Sequence, residues 1–262
     1  MKKILLLSIF IISSFAYNVT VSILPQKFVV DKIAKNKAQV NVMVLPGMSP
    51  ATYSPKPAQL LSLKKSIIYF KIGVPFEKAW LDKFKSINPN IKIVDFGKYV
   101  KKDKNPHIWL DPLFLINEAR IVKESLIKID SKNKKFYEKN YKEFVKEALD
   151  IDDKIKTQLS NLKNRKFLIF HPNLYYFAKE YNLVEIPLEK EGKEPSFQYL
   201  LRIIKIAKQN NIKTIFTAPE FSHKEANFLA TKIGAKVVEF SALKYNIFDN
   251  LLRVAKILND NN

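Results

Sequence analysis

The sequence predicts an α/β protein of two lobes, each a parallel sheet flanked by helices, joined by one long helix. Three observations carry that expectation. The first part of the chain, 19–96, alternates short β-rich runs with helical patterns. The stretch 131–162 then contains neither glycine nor proline. From 166 onward the alternation resumes. A steady strand–helix–strand succession favours parallel strands, because right-handed crossovers lay the helices on the sheet faces.

In order along the chain, Val19 to Ile23 reads as a strand. Pro25 to Lys35 reads as a helix with Phe28, Val29, Ile33 and Ala34 on one face. Gln39 to Leu45 sets Val40, Val42 and Val44 at alternate positions, the pattern of a strand. Pro46 to Pro57 is rich in Pro, Gly and Ser and reads as a loop. A short helix (Ala58 to Lys65), a strand (Ser66 to Ile72), a helix (Phe76 to Phe84) and a strand (Ile91 to Phe96) follow.

Asp111-Pro112 opens the next helix, with Asp as N-cap and Pro at the first position, and it runs to Ile129. Ser131 to Leu162 is predicted helical throughout. Its apolar residues, Tyr137, Tyr141, Phe144, Val145, Leu149, Ile151 and Ile155, keep helical spacing loosely and form no sustained heptads, which argues against a coiled coil. A helix of ~30 residues is about 45 Å long, a length that suits a rigid spine between lobes.

The second half supplies strands at Lys166 to Phe170, Leu183 to Pro187, Lys213 to Thr217 and Lys236 to Phe240. Ser196 caps a helix to Gln209, Ser222 and Glu225 form a capping box for a helix ending at Gly234, and Ile247 to Asn259 is a final amphipathic helix. The expected organisation is a signal peptide (1–16), a first α/β lobe (17–110), a helical region with the linking helix (111–164) and a second α/β lobe (165–262).

The signal-peptide expectation rests on Met1-Lys2-Lys3, an apolar run from Ile4 to Ile12, and Ser14-Phe15-Ala16 as a cleavage site. The apolar run is shorter than the roughly 20 residues a bilayer span needs. No cysteine follows it to accept a lipid, so the expected destination is the periplasm, with no stable membrane insertion. The absence of cysteine also removes thiolate metal sites and disulfides, leaving His, Asp and Glu as candidate ligands.

The formal charge is +20. A nucleic-acid partner is not expected, because the lysines are scattered over helical polar faces and the one dense basic stretch is Lys98 to Lys104. The five glycines form no phosphate-cradling loop, and no His/Ser or His/Cys constellation is present, so no enzyme activity is expected.

In open parallel sheets ligands bind beyond the carboxyl ends of the strands. Those positions here are the loop Pro46 to Pro57, the segment Asn105 to Trp109, His171, Ala218-Pro219-Glu220 and Ser241. Two of the three histidines, His107 and His171, fall there, one in each lobe. Each reads either as a metal-binding imidazole or as an imidazole bonded to backbone. His223 begins a helix and reads as solvent-facing. Glu220 reads either as a ligand or as a surface carboxylate.

On several of these segments the chain resembles the ZnuA/TroA-like substrate-binding proteins of zinc and manganese ABC transporters. The likeness covers the whole of the chain after the leader. It is carried by Leu45-Pro46-Gly47-Met48-Ser49-Pro50-Ala51-Thr52-Tyr53-Ser54-Pro55, by Asn105-Pro106-His107-Ile108-Trp109-Leu110-Asp111-Pro112, by Tyr137 with Asn140, by His171 with Tyr176-Phe177-Ala178, and by Glu194-Pro195-Ser196. The resemblance implies two α/β lobes about a long helix, a metal ion in the cleft, and four ligands. His107 and His171 match two of them. The loop histidine of the family is replaced by Ala51 and its late aspartate by Ser241. A histidine at 171 leans toward zinc over manganese. The family's long His- and acid-rich loop is replaced by the short basic segment Lys98 to Asn105.

The resemblance implies a monomeric periplasmic receptor that carries zinc to an ABC permease. Three readings of the altered site stay open: a substitute ligand, with Glu220 first and Tyr53 or His223 behind it; an ion completed by water or a small chelator; or a fold that has lost its metal and acts through protein interaction. A zinc hydrolase using Glu220 as carboxylate is the alternative from another class. Trp109 and Tyr53 are expected to form the cleft wall, and Asp111 to cap its helix.

Overall fold

The computed structural model describes residues 16–99, 105–189, 195–219 and 223–261. The expected signal peptide up to Phe15, most of the basic stretch, Glu220 and the Ser222 half of the capping box lie outside them.

Two four-stranded parallel sheets form. The first comprises β1 (Tyr17–Val21), β2 (Ala38–Val42), β3 (Ile68–Lys71) and β4 (Lys92–Asp95) in the order β2-β1-β3-β4. The second comprises β5 (Lys166–Ile169), β6 (Val184–Pro187), β7 (Thr214–Thr217) and β8 (Lys236–Glu239) in the order β6-β5-β7-β8. The winding is the same in both. The chain steps outward from the first strand of each sheet, then crosses back to the third, so each sheet has a switch point beside its first strand. Crevices open at such points.

The helices between the strands are α1 (Leu24–Ala34), α2 (Pro57–Lys64), α3 (Pro75–Ile87), α4 (Pro112–Ile129), α5 (Lys134–Leu159), α6 (Tyr175–Glu180), α7 (Phe197–Gln209), α8 (Lys224–Ile233) and α9 (Ile247–Asp260). Proline sits in the first turn of α1, α2, α3 and α4, where its missing N–H costs nothing and its fixed φ favours entry. The Asp111 carboxylate accepts from Leu113 N at 2.8 Å and caps α4 as expected. The Ser196 hydroxyl caps α7 through Tyr199 N. Gly234 ends α8 in the left-handed conformation that favours glycine.

The long helix begins later than expected. Ser131–Asn133 form a separate 3-10 turn, and α5 spans 26 residues, about 39 Å. The Asp130 carboxylate there binds Asn133 Nδ2 and the Tyr137 hydroxyl, holding the turn against the helix. The first strand also starts two residues earlier than expected, with Tyr17 paired to Ala38, and ends two residues earlier, where Ser22 and Ile23 give their amides to the Gln26 side chain at the entry to α1.

A single buried cluster runs from Val19 through the spine to Leu258 and takes side chains from both sheets. At its centre Phe28 of α1, Phe144 of α5 and Phe248 of α9 meet with ring centroids 5.2–6.3 Å apart. The last helix packs on α5 and touches the first through Phe248 and Phe28, and Asn140 of α5 donates to the Ile33 carbonyl in α1. A smaller cluster, including Leu168, Leu200, Ile203 and Leu229, lies beneath α7 and α8. No helix among the described residues is long and apolar enough to cross a membrane.

Candidate metal centre

The chain approaches the cleft from each lobe through a short constrained segment. On one side, Asn105-Pro106-His107 leads into the 3-10 turn Ile108–Leu110, secured by Ile108 N donating to Pro106 O at 2.8 Å. Trp109 is almost fully buried, and its Nε1 donates to Ala242 O of the other lobe at 2.8 Å. On the other side, Phe170 N donates to Phe216 O, prolonging the pairing of β5 with β7, and His171 follows at once. The expected strand-end position of His171 is met.

The two imidazoles come together, with ring centroids 5.2 Å apart and planes at 78°. Two imidazoles bound to one tetrahedral zinc, each nitrogen about 2.0–2.1 Å from the ion, have centroids roughly 5 Å apart. Each ring is held by its Nδ1. Asn105 Oδ1 lies 2.7 Å from His107 Nδ1 and 2.9 Å from His107 N. Asn105 Nδ2 donates to Pro172 O, so the amide orientation is fixed and Oδ1 only accepts. Glu189 Oε2 lies 3.0 Å from His171 Nδ1. His107 Nδ1 therefore carries the proton and its Nε2 keeps a lone pair for a ligand, and Glu189 favours the same tautomer in a neutral His171 ring. Burial, and then the neighbouring His171, push the His107 pKa down to about 3, which keeps that ring neutral and ready to donate.

The rings line a cavity of about 520 Å³ together with Ala51, Trp109, Asn173, Glu189 and Ala242. Ala51 brings only a methyl group to the cavity. Ser241 does not line the cavity; its hydroxyl accepts from Leu243 N in its own loop. Tyr53 corrects an expectation. It is buried inside the first lobe against Phe76 and donates to Gln59 Oε1 at 2.6 Å, so it neither walls the cleft nor faces an ion. Trp109 does wall it. His223 is the N-cap residue of α8 and does not line the cavity. Among the described residues no group of three or more His, Cys, Asp or Glu is placed to hold a metal ion. Glu220 lies outside them.

Sequence reasoning missed Glu189 and Asn173, and placed Asn105 in a strand-end segment without giving it a role. A signal for Glu189 was present: it stands two residues past the strand ending at Pro187, on the edge where strand-end residues gather.

A two-lobed α/β protein with paired, pre-oriented imidazoles in its cleft belongs to the class of binding proteins that hold a metal ion between lobes. The profile of the family described as "Zinc-uptake complex component A periplasmic" matches residues 19–249, and the chain belongs to that family. It is 25% identical over 236 residues to the high-affinity zinc uptake system protein ZnuA of Bacillus subtilis, covering 81% of this chain and 74% of that one. It is 26% identical over 199 residues to the iron ABC transporter substrate-binding lipoprotein MtsA of Streptococcus pyogenes, covering 67% of this chain and 64% of that one. A solved structure described as the crystal structure of ZnuA superposes with a TM-score of 0.90 at 37% identity, over 94% of this chain and 99% of that one.

Proposed function

We propose that the protein is the substrate-binding component of an ABC importer for a divalent metal ion, with zinc as cargo. The observation that carries this reading is the pair of imidazoles, each anchored through Nδ1, that meet in one cleft. Nitrogen donors suit zinc better than manganese, which favours oxygen. Related proteins carry names for zinc and for iron, so the choice of zinc rests on this donor set.

In this reading the first lobe (17–110) supplies His107, the second (165–262) supplies His171 and Glu220, and the helical region between them (111–164) sets their separation. Glu220 is the third ligand and water takes the fourth position. Ion capture and release to a permease need no bond-breaking step, so the protein is not an enzyme. The leader directs it to the periplasm, where cleavage after Ala16 frees a monomer. Its positive charge is a solvated surface and takes no nucleic acid.

The test is metal analysis and chelator-competition titration of the exported protein, purified without chelator. One equivalent of zinc, lost in H107A and H171A and weakened in E220A, is the expected result. A protein without metal above trace and without a zinc-dependent rise in melting temperature sinks the reading. An E220A variant that binds as the parent does removes Glu220 alone.

A further inference from the structure

We infer that Glu189 is a positioning residue for the metal: its carboxylate engages Nδ1 of the His171 ring, which assigns metal binding to Nε2, and gives the cleft a negative charge. The inference rests on the metal-binding reading above. It starts from sheet register. Strands β5 and β6 pair in parallel, with Lys166 beside Val184 and Ile169 beside Pro187. Continued two residues further, that register sets His171 beside Glu189. Past the strand ends the two backbones bend but stay bonded side by side: Leu188 N donates to Ile169 O at 2.7 Å, and Glu189 N donates to Phe170 O at 2.9 Å. The imidazole and the carboxylate are thus brought together by two segments that leave adjacent strands side by side, before any ion arrives.

Glu189 is 5% exposed, and a buried carboxylate needs a partner. Its Oε2 finds one in His171 Nδ1. The bond selects one tautomer and makes the opposite nitrogen a stronger donor, the arrangement of carboxylate–histidine–zinc sites. Among the described lining residues Glu189 is the one carboxylate, and none is Lys or Arg. In a chain of net charge +20, a divalent cation entering this cleft meets a local charge of the favourable sign.

The experiment compares the intact exported protein with E189A, E189Q and H171A. Zinc affinity is read by chelator competition, and the His171 tautomer by ¹⁵N NMR of the zinc-free protein. Expected in E189A are a mixed His171 tautomer and zinc binding weakened about 10- to 100-fold. E189Q, whose amide oxygen still accepts from Nδ1, keeps the tautomer and binds zinc with intermediate affinity, the remaining deficit being the lost charge. An E189A protein with unchanged tautomer and parental affinity overturns the inference while leaving the metal reading intact, provided H171A loses zinc. Cobalt spectra offer a second way to fail: a change in coordination number in E189A as large as in H171A makes Glu189 a ligand and not a positioning residue. An H171A protein that binds like the parent removes the metal reading itself.

Discussion

The side-chain amide of Asn105 donates to the carbonyl of Pro172 at 2.7 Å, so the residue that orients one imidazole is bonded to the peptide beside the other. The Asn105 carbonyl also accepts from the Tyr176 hydroxyl at 3.1 Å. One residue thus sets the ring of His107 and its distance from the segment that carries His171.

That bridge predicts the behaviour of Asn105 variants. N105A removes the acceptor for His107 Nδ1 and the link to Pro172 together, and zinc affinity is expected to fall about 10- to 100-fold, as for other groups that orient a ligand. N105D keeps an oxygen toward His107 and loses the donor toward Pro172, so it falls between N105A and the parent. Chelator competition measures both, and equal affinity in all three proteins refutes the bridging role.

Placing an imidazole at residue 51 should tighten the site. Ala51 lines the same cavity as His107 and His171. A51H adds a nitrogen donor to a site that has too few, and zinc is expected to bind at least about tenfold more tightly, roughly 1.4 kcal/mol. Calorimetric titration decides it; unchanged or weaker binding shows that the loop does not reach the ion.

Glu118 predicts an unusual pH dependence of stability. It lies fully buried on α4, neither carboxylate oxygen has a hydrogen-bond partner, and burial pushes its pKa up to about 8. The folded protein therefore keeps the proton between the ordinary glutamate range and about pH 8, whereas the unfolded chain releases it. The stability this group allows is full below its unfolded pKa and is lost as pH rises through that window. E118Q, neutral at every pH, should match the parent near pH 5 and exceed it by about 1–3 kcal/mol at pH 8. Urea unfolding at the two pH values measures the difference, and equal gains at both contradict the prediction.

The phenylalanine cluster predicts joint unfolding of the lobes. Phe248 of α9 lies between Phe28 and Phe144 and is 2% exposed. F248A should cost about 3–5 kcal/mol. The loss should appear as a lowered midpoint of one transition, because the cluster belongs to the core shared by both sheets. Two separated transitions in calorimetry contradict that.

Much of the fold was legible because its signals are local. Proline at helix starts, Asp111 and Ser196 as caps and Gly234 as a stop all act within one turn of the chain. His107 and His171 were legible because strand ends gather at one edge of a parallel sheet. Glu189 was missed although it too follows a strand end, because its pairing with His171 joins segments beyond two different strands. Asn105 fell within the strand-end segment but was given no role, because its partner Pro172 is 67 residues away. Tyr53 was misplaced because an aromatic residue in a loop reads as a wall, whereas Gln59 in the next helix turns its hydroxyl inward.

The contact of α9 with α1 bears on when the molecule can take shape. Phe28 and Phe248 stand near opposite ends of the chain. A chain made from its N-terminus presents α1 long before α9 exists. The hydrophobic face of α1 stays incomplete until nearly the whole polypeptide has been made, and such distant pairings form slowly. The core thereby closes last where its two ends meet.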